Sequence, residues 1–210
     1  VPRCSLGRSR RNMIIVAMAR SGATKICMDL AEKNNLQFVG ELTATNLYDS
    51  TRYRKDKDHE TNFEIAFDPE LWTKIINRDP SLCILANHAK QYTLLKDADY
   101  VILRKNYVNC LLSFAEYRVR NVRNTPLTQE YLSHFRIFIY LMLDSFVGIA
   151  TYCLNNDKKI IWYEDYFPNM PTEYKVARGQ PRIMEIIDSE IRRFPHAKGL
   201  MKDLLVKYNV

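Results

Sequence analysis

The hydrophobic and polar positions alternate between short apolar runs and longer stretches of helical period. Residues 13–18 (MIIVAM) are continuously apolar and run into a turn, the pattern of a strand buried on both faces. Over 23–34 the period changes to that of a helix. Ile26, Cys27, Leu30 and Ala31 fall on one face; Lys25, Asp29, Glu32 and Lys33 fall on the other. A second apolar run covers 36–42. The charged stretch 49–62 then reads as a surface loop, and 68–77 as a helix capped by Asp68 with Pro69 in its first position. Two more strands are predicted at 81–86 and 100–103, each leading into a polar turn.

Residues 107–119 form the next predicted helix, with Val108, Leu111, Leu112 and Ala115 as its apolar stripe. A long helix follows over 128–154, where Tyr131, Phe135, Phe138, Ile139, Met142, Phe146 and Ile149 recur at helical spacing, a core stripe. The run 159–163 reads as a strand. Pro168, Pro171, Gly179 and Pro181 make 164–181 a long loop, and helices at 182–193 and 198–208 close the chain. Strands alternating with helices predict an α/β fold, a central parallel sheet flanked by helices, in one domain over 13–210.

Charge changes this picture little. Of a net +7, four charges sit in residues 1–12, where Arg3, Arg8, Arg10 and Arg11 stand without an acid. That head reads as disordered or appended sequence. The remaining excess is too small and scattered for a duplex-binding face, so no nucleic-acid partner is expected. The 5 cysteines (Cys4, Cys27, Cys83, Cys110 and Cys153) are widely spaced and form no Cys-x-x-Cys pair. Reduced thiols of a cytoplasmic type of protein are the expectation. The segment 135–154 has the length of a membrane span. A mid-bilayer aspartate costs about 2.5–3.5 kcal/mol, however, so Asp144 favours a buried helix over a span.

The chemistry concentrates at the end of the first strand. Ala19-Arg20-Ser21-Gly22-Ala23-Thr24-Lys25 places a glycine turn before a helix, so backbone N–H groups and the positive helix end suit a phosphate or sulfate. Arg20, Ser21, Thr24 and Lys25 add side-chain donors. An ordinary capped turn is the competing reading. The Gly-x-x-x-x-Gly-Lys-Ser/Thr pattern of nucleotide triphosphatases is absent.

Arg20-Ser21-Gly22-Ala23-Thr24 resembles the Arg/Lys-Ser-Gly-Ser/Thr-Ser/Thr loop of the sulfotransferase family. There the loop holds the 5′-phosphosulfate of 3′-phosphoadenosine 5′-phosphosulfate. The stretch 100–114 (YVILRKNYVNCLLSF) resembles the family's second signature, whose strand-end Arg and helical Ser bind the 3′-phosphate. Ser113 follows Arg104 by nine residues and Lys105 by eight. The Arg-Arg-Asp form of trehalose-type enzymes aligns onto Arg104-Lys105-Asn106 without a gap, so either cation is the candidate. A solvated strand end, and a serine bonded to its own helix, are the alternatives. Ile161-Trp-Tyr-Glu-Asp-Tyr166 resembles a later Tyr-Glu-Asp-Leu stretch and is read as structural support. Arg178-Gly179 is similar to the family's nucleotide-capping Arg-Lys-Gly.

The resemblance covers roughly 13–166. It implies a P-loop-like three-layer domain, the adenosine donor as cosubstrate with adenosine 3′,5′-bisphosphate as product, and transfer of a sulfonate to a hydroxyl or amine. The acceptor would be a small molecule or glycan. No membrane anchor like that of Golgi relatives is expected. Arg20 and Lys25 would steady the charge of transfer, and the low charge of a sulfonate requires no metal. A base is needed. The candidates are His88, similar to a histidine preceding the second signature, and Glu41, at the place of the trehalose-type base. A P-loop kinase and a non-catalytic nucleotide-binding relative are the alternative readings. The former lacks its Gly-Lys-Ser/Thr.

Overall fold

The computed structural model describes residues 12–41, 82–86, 95–121, 127–169 and 174–210. Among these residues five strands, β1 (Met13–Ala17), β2 (Gln37–Glu41), β3 (Leu82–Ala86), β4 (Tyr100–Leu103) and β5 (Ile160–Trp162), form one sheet in the order β2-β3-β1-β4-β5. Every pairing is parallel, with Ile15 opposite Leu85 on one side and Tyr100 on the other. The helices are α1 (Ala23–Lys33), α2 (Val108–Asn121), α3 (Gln129–Asn155), α4 (Tyr163–Tyr166), α5 (Lys175–Arg178), α6 (Pro181–Arg193) and α7 (Ala197–Lys207).

Alternation along β1 divides the core in two. Ile15 and Ala17 join Cys83, Leu85 and Ile102 under Ala23, Ile26, Cys27 and Ala31 of α1. Ile14 and Val16 face the other way, joining Ile84, Val101 and Leu103 in a larger cluster with α2, α3, α6 and α7. Helices thus cover both faces, as the alternating pattern predicts.

The long helix α3 is capped at its start by Thr128, whose Oγ1 accepts the Tyr131 N–H at 3.2 Å. At its other end the Lys207 ammonium donates to the carbonyls of Cys153 (2.9 Å), Leu154 (3.1 Å) and Asn156 (3.2 Å), fastening α7 onto the negative helix terminus. Among the described residues α3 is the one helix long and apolar enough to cross a membrane. Its Phe135, Ile139, Phe146, Ile149 and Cys153 are fully buried in the larger core cluster, and Asp144 is half-buried.

Two details depart from the sequence reading. The predicted strand 159–163 gives way at Tyr163 to the single-turn helix α4, which with α5 occupies part of the predicted loop 164–181, both too short to display a period, and β2 ends at Glu41. The predicted loop 49–62, the predicted helix 68–77, most of the basic head and His88 lie outside the described residues.

The topology selects one edge of the sheet. From β1 the chain passes β3 to reach the edge strand β2, and later crosses β1 in the opposite direction to reach β4. The carboxyl end of β1 therefore lies where neighbouring connections diverge, the place at which open parallel sheets form a crevice.

Candidate functional site

At the carboxyl end of β1 the backbone turns through two left-handed residues, Arg20 (φ 65°) and Gly22 (φ 76°). The Ser21 N–H between them donates to the Met18 carbonyl at 3.2 Å. Gly22 is the N-cap of α1, no side chain caps that end, and its first turn contains no acid. The first amides of α1 thus present positive partial charge without an internal acceptor. Ser21 is fully buried, and its Oγ has no hydrogen-bond partner. A buried hydroxyl without a partner is rare, and here it adjoins an uncapped helix start.

The neighbouring strand contributes a buried cation. Arg104, just past the end of β4, is 6% exposed. Its Nη1 donates to the Tyr174 hydroxyl, its Cζ lies 4.0 Å from the centroid of the Tyr163 ring, and its Nε has no partner. Among the described residues no carboxylate pairs with this guanidinium. Burying a cation against a neutral hydroxyl and a ring leaves most of its charge uncompensated by the described residues.

Lys105 has a different fate. Its ammonium lies 2.6 Å from Asp165 Oδ1, and its backbone N–H donates to Glu164 Oε2 at 2.9 Å. The stretch 163–166, read from sequence as structural support, thus ties the end of β5 to the end of β4. Glu164 Oε1 is buried without a partner.

Helix α2 brings Ser113 to the same region. Ser113 is half-buried; Tyr117, one turn later on the same face, lies under the Arg20 guanidinium at 4.8 Å from its centroid. Arg20 therefore reaches across to the helix that carries Ser113. Cys110 lies beneath: burial pushes its thiol up to about 12, with opposing effects from Arg104 and Arg20 and a reinforcing one from Glu164. The thiol stays protonated and inert at neutral pH.

Among the remaining candidates, Ala23 is buried and Thr24 exposed in the first turn of α1. Lys25 is engaged elsewhere, its ammonium 2.6 Å from Asp29 Oδ1, while the Tyr166 hydroxyl donates to Asp29 Oδ2 at 2.7 Å. The hydrogen bond to Asp29 holds the Lys25 pKa above its usual value. Asp29 is lowered by Lys25 first and Tyr166 second. The i,i+4 spacing of Lys25 and Asp29 is visible in the sequence and is the signal for this pairing.

Arg178 ends α5 with an exposed side chain. That helix is held beside the site by Tyr174, which accepts from Arg104, and by the Ala177 N–H, which donates to Glu116 Oε2 at 2.8 Å. Glu41 ends β2 opposite Leu85, two strands away from β1; its side chain, like His88, lies outside the described residues.

The fold thus gathers Arg20, Ser21, Gly22, Arg104 and Ser113 at one edge and hands Lys25 and Lys105 to carboxylates. Tyr174 and Tyr117 carry no sequence signal of their own, and Tyr163 was read only as part of the Tyr-Glu-Asp stretch; each is recognised by the cation it touches. Comparison of the chain with protein-family models, with curated proteins and with solved structures finds no match.

Proposed function

We propose that this chain is a sulfotransferase of P-loop-like fold that binds 3′-phosphoadenosine 5′-phosphosulfate and passes its sulfonate to a hydroxyl or amine. The observation that carries the reading is Arg104: a buried guanidinium with no carboxylate among the described residues, one strand from an uncapped helix start with the buried, unpartnered Ser21 hydroxyl. Two anion-seeking positions on adjacent parallel strands suit a ligand with two separated phosphate groups.

In this reading the amides of residues 22–25 and the Ser21 hydroxyl hold the 5′-phosphosulfate, and Arg104 with Ser113 takes the 3′-phosphate. Arg20, exposed and close to Tyr117, is the cation beside the transferred group. An acceptor oxygen or nitrogen attacks sulfur, the bond from sulfur to the bridging oxygen breaks, and adenosine 3′,5′-bisphosphate leaves. The acceptor's proton passes to a base, for which Glu41 and His88 stand as candidates. Lys25 contributes charge after exchanging Asp29 for the ligand. Its present pairing with Asp29 is also the observation that favours the second reading, a nucleotide-binding relative without transferase activity.

Release of adenosine 3′,5′-bisphosphate from the donor, followed chromatographically with a panel of phenols, sugars and amines, separates the two. Acceptor-dependent release, reduced on the order of 100-fold in Arg20→Ala by loss of a charge-stabilising donor, is the predicted result. Donor binding without release on any acceptor supports the non-catalytic relative.

A further inference from the structure

One aromatic ring touches both halves of the site. A Cβ built on Gly22 would lie 2.4 Å from both Cδ2 and Cε2 of Tyr163, so the bare glycine backbone rests directly on that ring. The same ring carries the Arg104 guanidinium, 4.0 Å from its centroid. Tyr163 is 7% exposed and opens α4 immediately after β5. Phe167 supports it, ring centroids 5.1 Å apart, and the adjacent Glu164 accepts the Lys105 N–H. The ring is therefore fixed by its own strand and helix rather than by either group it touches. A flat, rigid side chain against the turn and against the cation acts as a spacer between them.

We infer that Tyr163 is a positioning residue whose ring sets the separation between the anion-binding turn at Gly22 and the guanidinium of Arg104, and hence the separation of the two anionic groups the site accepts on one ligand. The inference rests on the nucleotide reading above and adds to it the element that measures the ligand. Without the ring, Arg104 keeps its charge but loses its fixed distance from Gly22. Discrimination for a second phosphate then falls, while affinity for the first is nearly unchanged.

The test compares the parent chain of 210 residues, Tyr163→Phe and Tyr163→Leu. Affinities for adenosine 3′,5′-bisphosphate and adenosine 5′-monophosphate are measured calorimetrically, and the Arg104 Nε–H resonance is followed by NMR. A desolvated cation–ring contact predicts that Tyr163→Leu loses about tenfold in bisphosphate affinity. Monophosphate affinity changes by less than about threefold, and the ring-current shift of the Arg104 resonance disappears. Tyr163→Phe keeps both the preference and the shifted resonance. An unchanged preference in a folded Tyr163→Leu, or an equal loss in Tyr163→Phe, overturns the ring's role and leaves the nucleotide reading standing. Failure of the parent to bind either nucleotide overturns both.

Discussion

Gly22→Ala is expected to lower the melting temperature by roughly 5–15 °C and to remove anion binding, whereas Gly199→Ala raises stability slightly. Two separate penalties act at Gly22. Its φ of 76° lies in the left-handed region, where a Cβ costs about 1–2 kcal/mol. That Cβ also falls 2.4 Å from two carbons of the Tyr163 ring, and forced overpacking of this kind adds about 1–3 kcal/mol. For a chain of this length each kcal/mol moves the midpoint by roughly 2–4 °C. The ring cannot move away freely, because it opens α4 directly after β5 and packs on Phe167. Gly199 lies inside α7, and a Cβ there meets nothing within 4 Å. Its replacement gains about 0.5–1 kcal/mol of helix propensity. Thermal denaturation of the two variants reads this contrast, and equal midpoints for both would contradict both penalties at Gly22.

Arg104→Met is expected to separate binding from stability. Methionine keeps much of the volume and removes a buried charge that no carboxylate balances among the described residues, and such replacements are often neutral or stabilising. The Tyr174 hydroxyl loses a donor, a change of about 1 kcal/mol, so the midpoint should stay close to the parent's. Bisphosphate affinity behaves differently. Charge-assisted bonds to a phosphate contribute about 1.5–3 kcal/mol, which corresponds to a loss of roughly 10- to 150-fold. Paired calorimetry and thermal melts check both halves. A large loss of stability with binding intact would mark Arg104 as a structural cation instead.

The sheet was legible because its central strands β1, β3 and β4 are buried on both faces. Continuous apolar runs such as 13–18 and 100–103 leave few other readings, and the observed β1 and β4 fall inside them. The helices α1, α3 and α6 were legible from their periodic faces. The four-residue helices α4 and α5 were not, since one turn has no period and the prolines of 164–181 read as a loop. At the site, spacing located the turn and the β4 end but could not decide which cation is buried. Burial does so: Arg104 lies inside with Tyr163 and Tyr174, and Lys105 reaches Asp165 at the surface. Lys25 carries two signals at once. Its place in the turn suggested a ligand, while its i,i+4 relation to Asp29 already indicated a partner within the helix. The Tyr163 contact lies beyond any local pattern, because 141 residues separate it from Gly22 and only the β1–β4–β5 pairing brings the two together.

On the proposed reading, the edge formed by the β1 turn and the β4 end is a two-phosphate nucleotide site. Calorimetric titration of the parent protein with adenosine 3′,5′-bisphosphate against adenosine 5′-monophosphate tests it most directly. Saturable binding of the bisphosphate is expected, at least tenfold tighter than the monophosphate, in keeping with one additional charge-assisted phosphate contact. Equal affinity for the two, or no binding by a folded sample, would contradict it.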